Sequence, residues 1–143
     1  MKKALKRNFK VNETVFVVDY WGTGEGTQAF GTRAEIVKVD KKNKTITAVL
    51  YGDTYQVYSK NDFGRIIFDT ADEANEVARN LPTPKTTMFQ RIGKKVFKKK
   101  VSGIIGEYID GTYDLAVSFD RGKNIPIREI GRSLFLEETD ARK

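Results

Sequence analysis

Between Lys94 and Lys100 the chain reads KKVFKKK, five ammonium groups around one valine and one phenylalanine. The chemistry open to such a run is electrostatic. Lys94, Lys95, Lys98, Lys99 and Lys100 can each displace a counterion from a phosphate backbone, so the run is suited to tracking DNA or RNA with little sequence preference. A lysine-rich strand edge has a second use, which is to block pairing with other chains. On a strand, an inward Val96 would carry Lys94, Lys98 and Lys100 inward too, and an inward Phe97 would carry Lys95 and Lys99. The buried part of this strand must therefore be brief. Arg91, Arg121 and Lys123 are candidates to extend the patch.

The rest of the charge follows the same direction. The chain of 143 residues has a formal net charge of +7. Residues 1–10 hold Lys2, Lys3, Lys6, Arg7 and Lys10 and no acid, forming a basic arm expected to be mostly disordered. Residues 11–80 carry 8 Lys and Arg against 11 Asp and Glu, whereas residues 81–143 carry 13 against 8. The basic parts fit a polyanion or an acidic protein surface.

Other chemistry finds little material. Histidine and cysteine are absent, which removes the commonest general base, the thiol nucleophile, disulfides and the usual zinc ligands. The carboxylates are scattered over turns and helix starts, and Asp62, Asp69, Asp72 and Glu73 have structural uses there. No catalytic residue, metal or cofactor is expected. The stretch Tyr20-Trp21-Gly22-Thr23-Gly24-Glu25-Gly26-Thr27 raises the question of a phosphate-cradling loop, but it lacks the Gly-Lys-Ser/Thr ending and the following helix that such loops need. It is expected to be a flexible loop between strands, with Tyr20 and Trp21 as candidate contact anchors. Tyr51, Tyr55, Tyr58, Tyr108 and Tyr113 could each offer an apolar face to a base or peptide. Phe16, Phe68, Phe97, Phe119 and Phe135 are assigned to the core. With no long apolar run and no signal-type segment, a soluble cytoplasmic protein without a membrane role is expected.

The elements that must position these residues come in two copies. Phe63-Gly64-Arg65 and Ile67-Phe68 return as Ile130-Gly131-Arg132 and Leu134-Phe135, with Asp62 matching Glu129 and Ala74 matching Ala141. Such a repeat sets the architecture. In the first copy, strands are predicted at Val15–Val18, Arg33–Asp40, Thr45–Tyr51, Tyr55–Tyr58 and Ile66–Phe68, with turns at Asn43 and Gly52. Thr70 and Glu73 frame a capping box that starts a helix. In the second copy, strands are predicted at Lys94–Lys99, Val101–Ile109, Tyr113–Asp120, Asn124–Ile127 and Ser133–Leu136. The division is a basic arm at 1–10, a first unit with its helix at 11–80, a proline-containing linker at 81–87 and a second unit at 88–143.

Five short strands, hairpins joining the second, third and fourth, and a helical turn before a last short strand resemble the SH3-like small barrel. Nearly all of both units takes part in the resemblance, which is similar in strand plan to the KOW and Tudor modules of nucleic-acid-associated and mobile-element proteins. It implies an all-β fold with one short helix, in the form of two tandem SH3-like five-stranded barrels. It also implies a non-enzymatic binding protein. The expected ligand is nucleic acid or nucleoprotein, held by the basic arm and second barrel. The alternative is a protein-protein interaction module, such as a phage or mobile-element inhibitor that blocks a nucleic-acid enzyme of its host.

Overall fold

The computed structural model describes residues 7–143. The first series of elements is β1 (Thr14–Thr23), β2 (Gly26–Asp40), β3 (Thr45–Leu50), β4 (Thr54–Ser59), a one-turn 3-10 connector (Lys60–Asp62), β5 (Ile67–Phe68) and α1 (Ala71–Arg79). The second repeats it in order: β6 (Thr87–Ile92), β7 (Lys95–Ile109), β8 (Thr112–Phe119), β9 (Ile125–Pro126), a second 3-10 connector (Ile127–Glu129), β10 (Leu134–Phe135) and α2 (Glu138–Ala141). The fold is mostly β. Its paired strands form an open sheet, where the sequence predicts closed barrels, and a second short helix joins the one expected.

The repeat is sharpest at the connectors. Gly64 and Gly131 have φ of 89° and 90°, a left-handed conformation that a side chain resists. That geometry aims Gly64 N–H at Ile67 O (2.8 Å) and Gly131 N–H at Leu134 O (2.7 Å). Each connector then delivers a two-residue strand: Phe68 lies opposite Phe16, and Phe135 opposite Phe89. Phe89 is therefore the counterpart of Phe16 in the second series. Thr70 caps α1 by accepting from Glu73 N–H at 3.3 Å.

Three segments depart from the sequence expectation in kind. Strand one of the second series is Thr87–Ile92 and not Lys94–Lys99, because Gly93 and Lys94 form a turn just where the predicted strand begins. The lysine run instead begins β7, which continues unbroken to Ile109. Second, the end of the proline stretch is fastened to β7, with Lys85 N–H donating to Val101 O and Val101 N–H to Thr86 O, both at 2.8 Å. Third, the glycine-rich stretch is a hairpin. Thr23 Oγ1 accepts from Glu25 N–H (3.2 Å) and donates to Gly26 O (2.9 Å), closing a two-residue turn between β1 and β2. In the β2–β3 turn the positive φ falls on Lys44 (56°), while Asn43 donates its amide to Asp40.

The compact units do not follow the chain linearly. Unit 1 comprises the chain up to Asp19, Phe30–Asn80 and Gly106–Asp114, and unit 2 comprises Tyr20–Ala29, Leu81–Ile105 and Leu115–Lys143. Each thus contains the tip of a hairpin from the other repeat. The core of unit 1 includes Val15, Val17, Ile36, Ile46, Leu50, Tyr58 and Ile67, closed by Ala74 of α1; that of unit 2 includes Met88, Val101, Ile104, Leu115, Val117 and Leu134.

Candidate functional site

The basic cleft of unit 2 grows out of a mismatch in strand length. β8 ends at Phe119, and Asp120 N–H makes a 3.0 Å bond to Lys100 O, while β7 continues past that point to Lys95. On its other side this overhang pairs with β6, in the register Lys100 opposite Thr87 through Lys95 opposite Ile92. The overhang borders a cleft of about 490 Å³ lined by Gln90, Ile92, Phe97, Lys98, Lys99, Lys100, Asp120 and Arg121. Four cations face one acid. Asp120 is held by a 2.6 Å bond from Ser102 Oγ, and the Lys99 ammonium lies 5.3 Å from the centre of the Phe119 ring. None of Lys94, Lys95, Lys98, Lys99 and Lys100 is ion-paired among the described residues.

Alternation explains how so many lysines fit on one strand. Lys95, Phe97 and Lys99 share one face of β7, and Val96, Lys98 and Lys100 the other. The buried part of the strand is confined to Val101, Gly103 and Ile104. Phe97 is 43 % exposed and Ile92 56 % exposed, so the assignment of Phe97 to the core does not hold. The physical reason is its position on the overhang, with Gln90 rather than an apolar residue opposite. The sequence carried a signal for this, a phenylalanine with lysines two residues away on both sides.

The other candidate residues are dispersed. Lys94 stands in the β6–β7 turn, and Lys2, Lys3 and Lys6 lie outside the described residues. Arg7 belongs to unit 1, where its guanidinium bonds Glu13 (2.9 and 3.1 Å) and Asp69 (2.8 Å) over the rings of Phe9 and Phe63. Tyr20 and Trp21 lie near the end of β1, within unit 2; Tyr20 is half-buried, and the Trp21 side chain is 56 % exposed. Neither lines the cleft. Arg121 does, whereas Arg91 stacks on Phe135 and donates to the carbonyls of Arg132 and Lys143.

Unit 1 contains a different polar cluster. Buried Asp19 accepts from Tyr51 (2.8 Å) and Tyr113 (3.1 Å), and buried Tyr58 packs edge-to-face on Tyr113 at 5.6 Å while donating to Gln56. Burial, then the hydrogen bond to Asp19, pushes the Tyr51 hydroxyl up to about 12. Tyr108 presents its hydroxyl to Val57 N–H, so of the five tyrosines only Tyr55 keeps an exposed ring with no hydrogen bond to its hydroxyl among the described residues. Arg65 bridges Asp62 and deeply buried Asp114, both at 2.8 Å. These contacts consolidate unit 1. Among the described residues no cluster of acidic side chains is arranged to hold a metal ion, and no helix is long and apolar enough to cross a membrane.

No protein-family model matches the chain, and no curated protein shows significant similarity to it.

Proposed function

We propose that the chain is a non-enzymatic binding protein, a duplicated SH3-like unit whose second copy holds nucleic acid in its basic cleft. The observation that carries this is the gathering of Lys98, Lys99, Lys100 and Arg121 around one concavity with a single acid among them. Cations left without ion pairs on a protein surface repel one another, and a polyanion relieves that repulsion while releasing its own counterions. Backbone contacts of this kind give affinity with little sequence preference.

The test is binding of mixed-sequence DNA and RNA across a salt series. Binding is expected at about 50 mM salt and should weaken steeply toward about 200 mM. The triple variant Lys98→Gln, Lys99→Gln, Lys100→Gln should flatten the slope of log K against log salt by about 2 to 3. No binding at low salt, or an unchanged slope in the variant, would turn the assignment to an acidic protein partner, blocking of a nucleic-acid enzyme included. The exposed indole of Trp21 beside Tyr20 favours that second reading, since such aromatics commonly anchor protein interfaces.

A further inference from the structure

We infer that the cleft of unit 2 takes a single strand rather than a duplex, with one unpaired base stacked on the Phe97 ring. This rests on the nucleic-acid assignment of the same cleft and adds to it the form of the ligand. Lysines alone do not distinguish the two forms. The apolar part of the cleft lining does: Phe97 and Ile92, both about half exposed, line it together with Lys98, Lys99, Lys100 and Arg121. In a duplex the faces of the bases are covered by their neighbours and only edges and phosphates are reachable, so an exposed ring between the lysines would meet nothing it could stack on. An unpaired base has a free face. Aromatic rings set in a positively charged groove are the general device for holding such strands, because every base can stack and the phosphates follow the cations.

Asp120 supports the same choice. A carboxylate in a seat for phosphates alone would repel them. Beside a base it accepts a hydrogen bond from an exocyclic amino group, and the Ser102 hydroxyl holds one of its oxygens. Ile92 adds apolar lining from β6, across the strand pair from Lys95.

The experiment uses the full chain and fluorescently labelled 12-nucleotide probes: oligo-dC, oligo-C RNA and a mixed-sequence duplex, measured by anisotropy at two salt concentrations. Both single strands are expected to bind more tightly than the duplex and within a few-fold of each other, since stacking and phosphate contacts do not involve the 2′ position. Phe97→Ala should weaken single-strand binding about tenfold and keep the salt slope. In Phe97→Trp the stacking is retained, and the fluorescence of the new indole should be quenched by single strands and not by the duplex. Phe97 is exposed, so both variants should fold, which circular dichroism verifies. Equal affinity of Phe97→Ala and wild type, duplex binding as tight as single-strand binding, or quenching by the duplex would overturn the inference. In those cases a flattened slope in the triple lysine variant still upholds a phosphate-binding cleft. No binding of any probe overturns both.

Discussion

Asp19 is nearly excluded from solvent and is kept company by two phenols, and this arrangement makes unit 1 sensitive to alkali. The Tyr51 hydroxyl is pushed from its usual value of 10.0 up to about 12, and burial pushes Tyr58 in the same direction. Between pH 10 and 12 the unfolded chain gives up these protons while the folded one retains them. The folded state then binds more protons, so stability falls as pH rises. The contribution of Tyr51 is complete below about pH 10 and lost by about pH 12. Tyr51→Phe should make that decline shallower and should cost about 1 kcal/mol at neutral pH, the scale of one hydrogen bond. Urea unfolding at a series of pH values measures both effects. Arg65→Met should be costlier, about 3 kcal/mol, since Asp114 is only 1 % exposed and loses the guanidinium that neutralises it.

At the scale of elements, two strands cross closely in unit 2. Thr27 of β2 lies beside Gly103 of β7 in a parallel pairing, and a Cβ on Gly103 would stand 2.2 Å from Thr27 O. A Cβ on Gly26 would stand 2.0 Å from Ser102 O. Gly103→Ala should therefore destabilise by about 1–3 kcal/mol, whereas Gly24→Ala, facing open space, should change stability by no more than about 0.5 kcal/mol; thermal unfolding of the two variants separates them. This crossing also explains what the sequence conceals. Glycines at 22, 24 and 26 resemble a loop because glycine disfavours strands, yet Gly26 is there for the approach of another backbone. Strand β6 was hidden by Pro82 and Pro84 just upstream, and the lysines of β7 obscured the alternation that marks a strand. The connectors and the capped helix α1 were legible, because each depends on residues a few positions apart: Gly64 and Gly131 on their own φ, Thr70 on Glu73. Phe97 was misassigned for the opposite reason, since its exposure depends on where β8, a distant segment, stops.

Over the whole molecule, the exchange of hairpin tips sorts charge. Gly106–Asp114 takes Glu107, Asp110 and Asp114 into unit 1, while Tyr20–Ala29 brings only Glu25 to unit 2. Unit 2 then holds 13 Lys and Arg against 6 Asp and Glu, and unit 1 holds 13 against 13. The sequence cut after Asn80 shows a weaker contrast, 13 against 11 before the cut and 13 against 8 after it, because which unit a tip joins is decided by contacts far apart in the chain. A chain cut after Asn80 should accordingly lose its cooperative thermal transition by circular dichroism, since unit 1 would lack Tyr113 and Asp114. The same exchange sets a schedule for synthesis. The partner of Asp19 at Tyr113 is 94 positions later and that of Arg65 at Asp114 is 49 later. At 5–20 residues per second, roughly 2–7 s separate emergence of Asn80 from emergence of Asp114. Throughout that interval the nascent first repeat holds a carboxylate and a guanidinium that have one partner each, Tyr51 and Asp62, and lack the second, so completion of its fold is timed by translation of the second repeat.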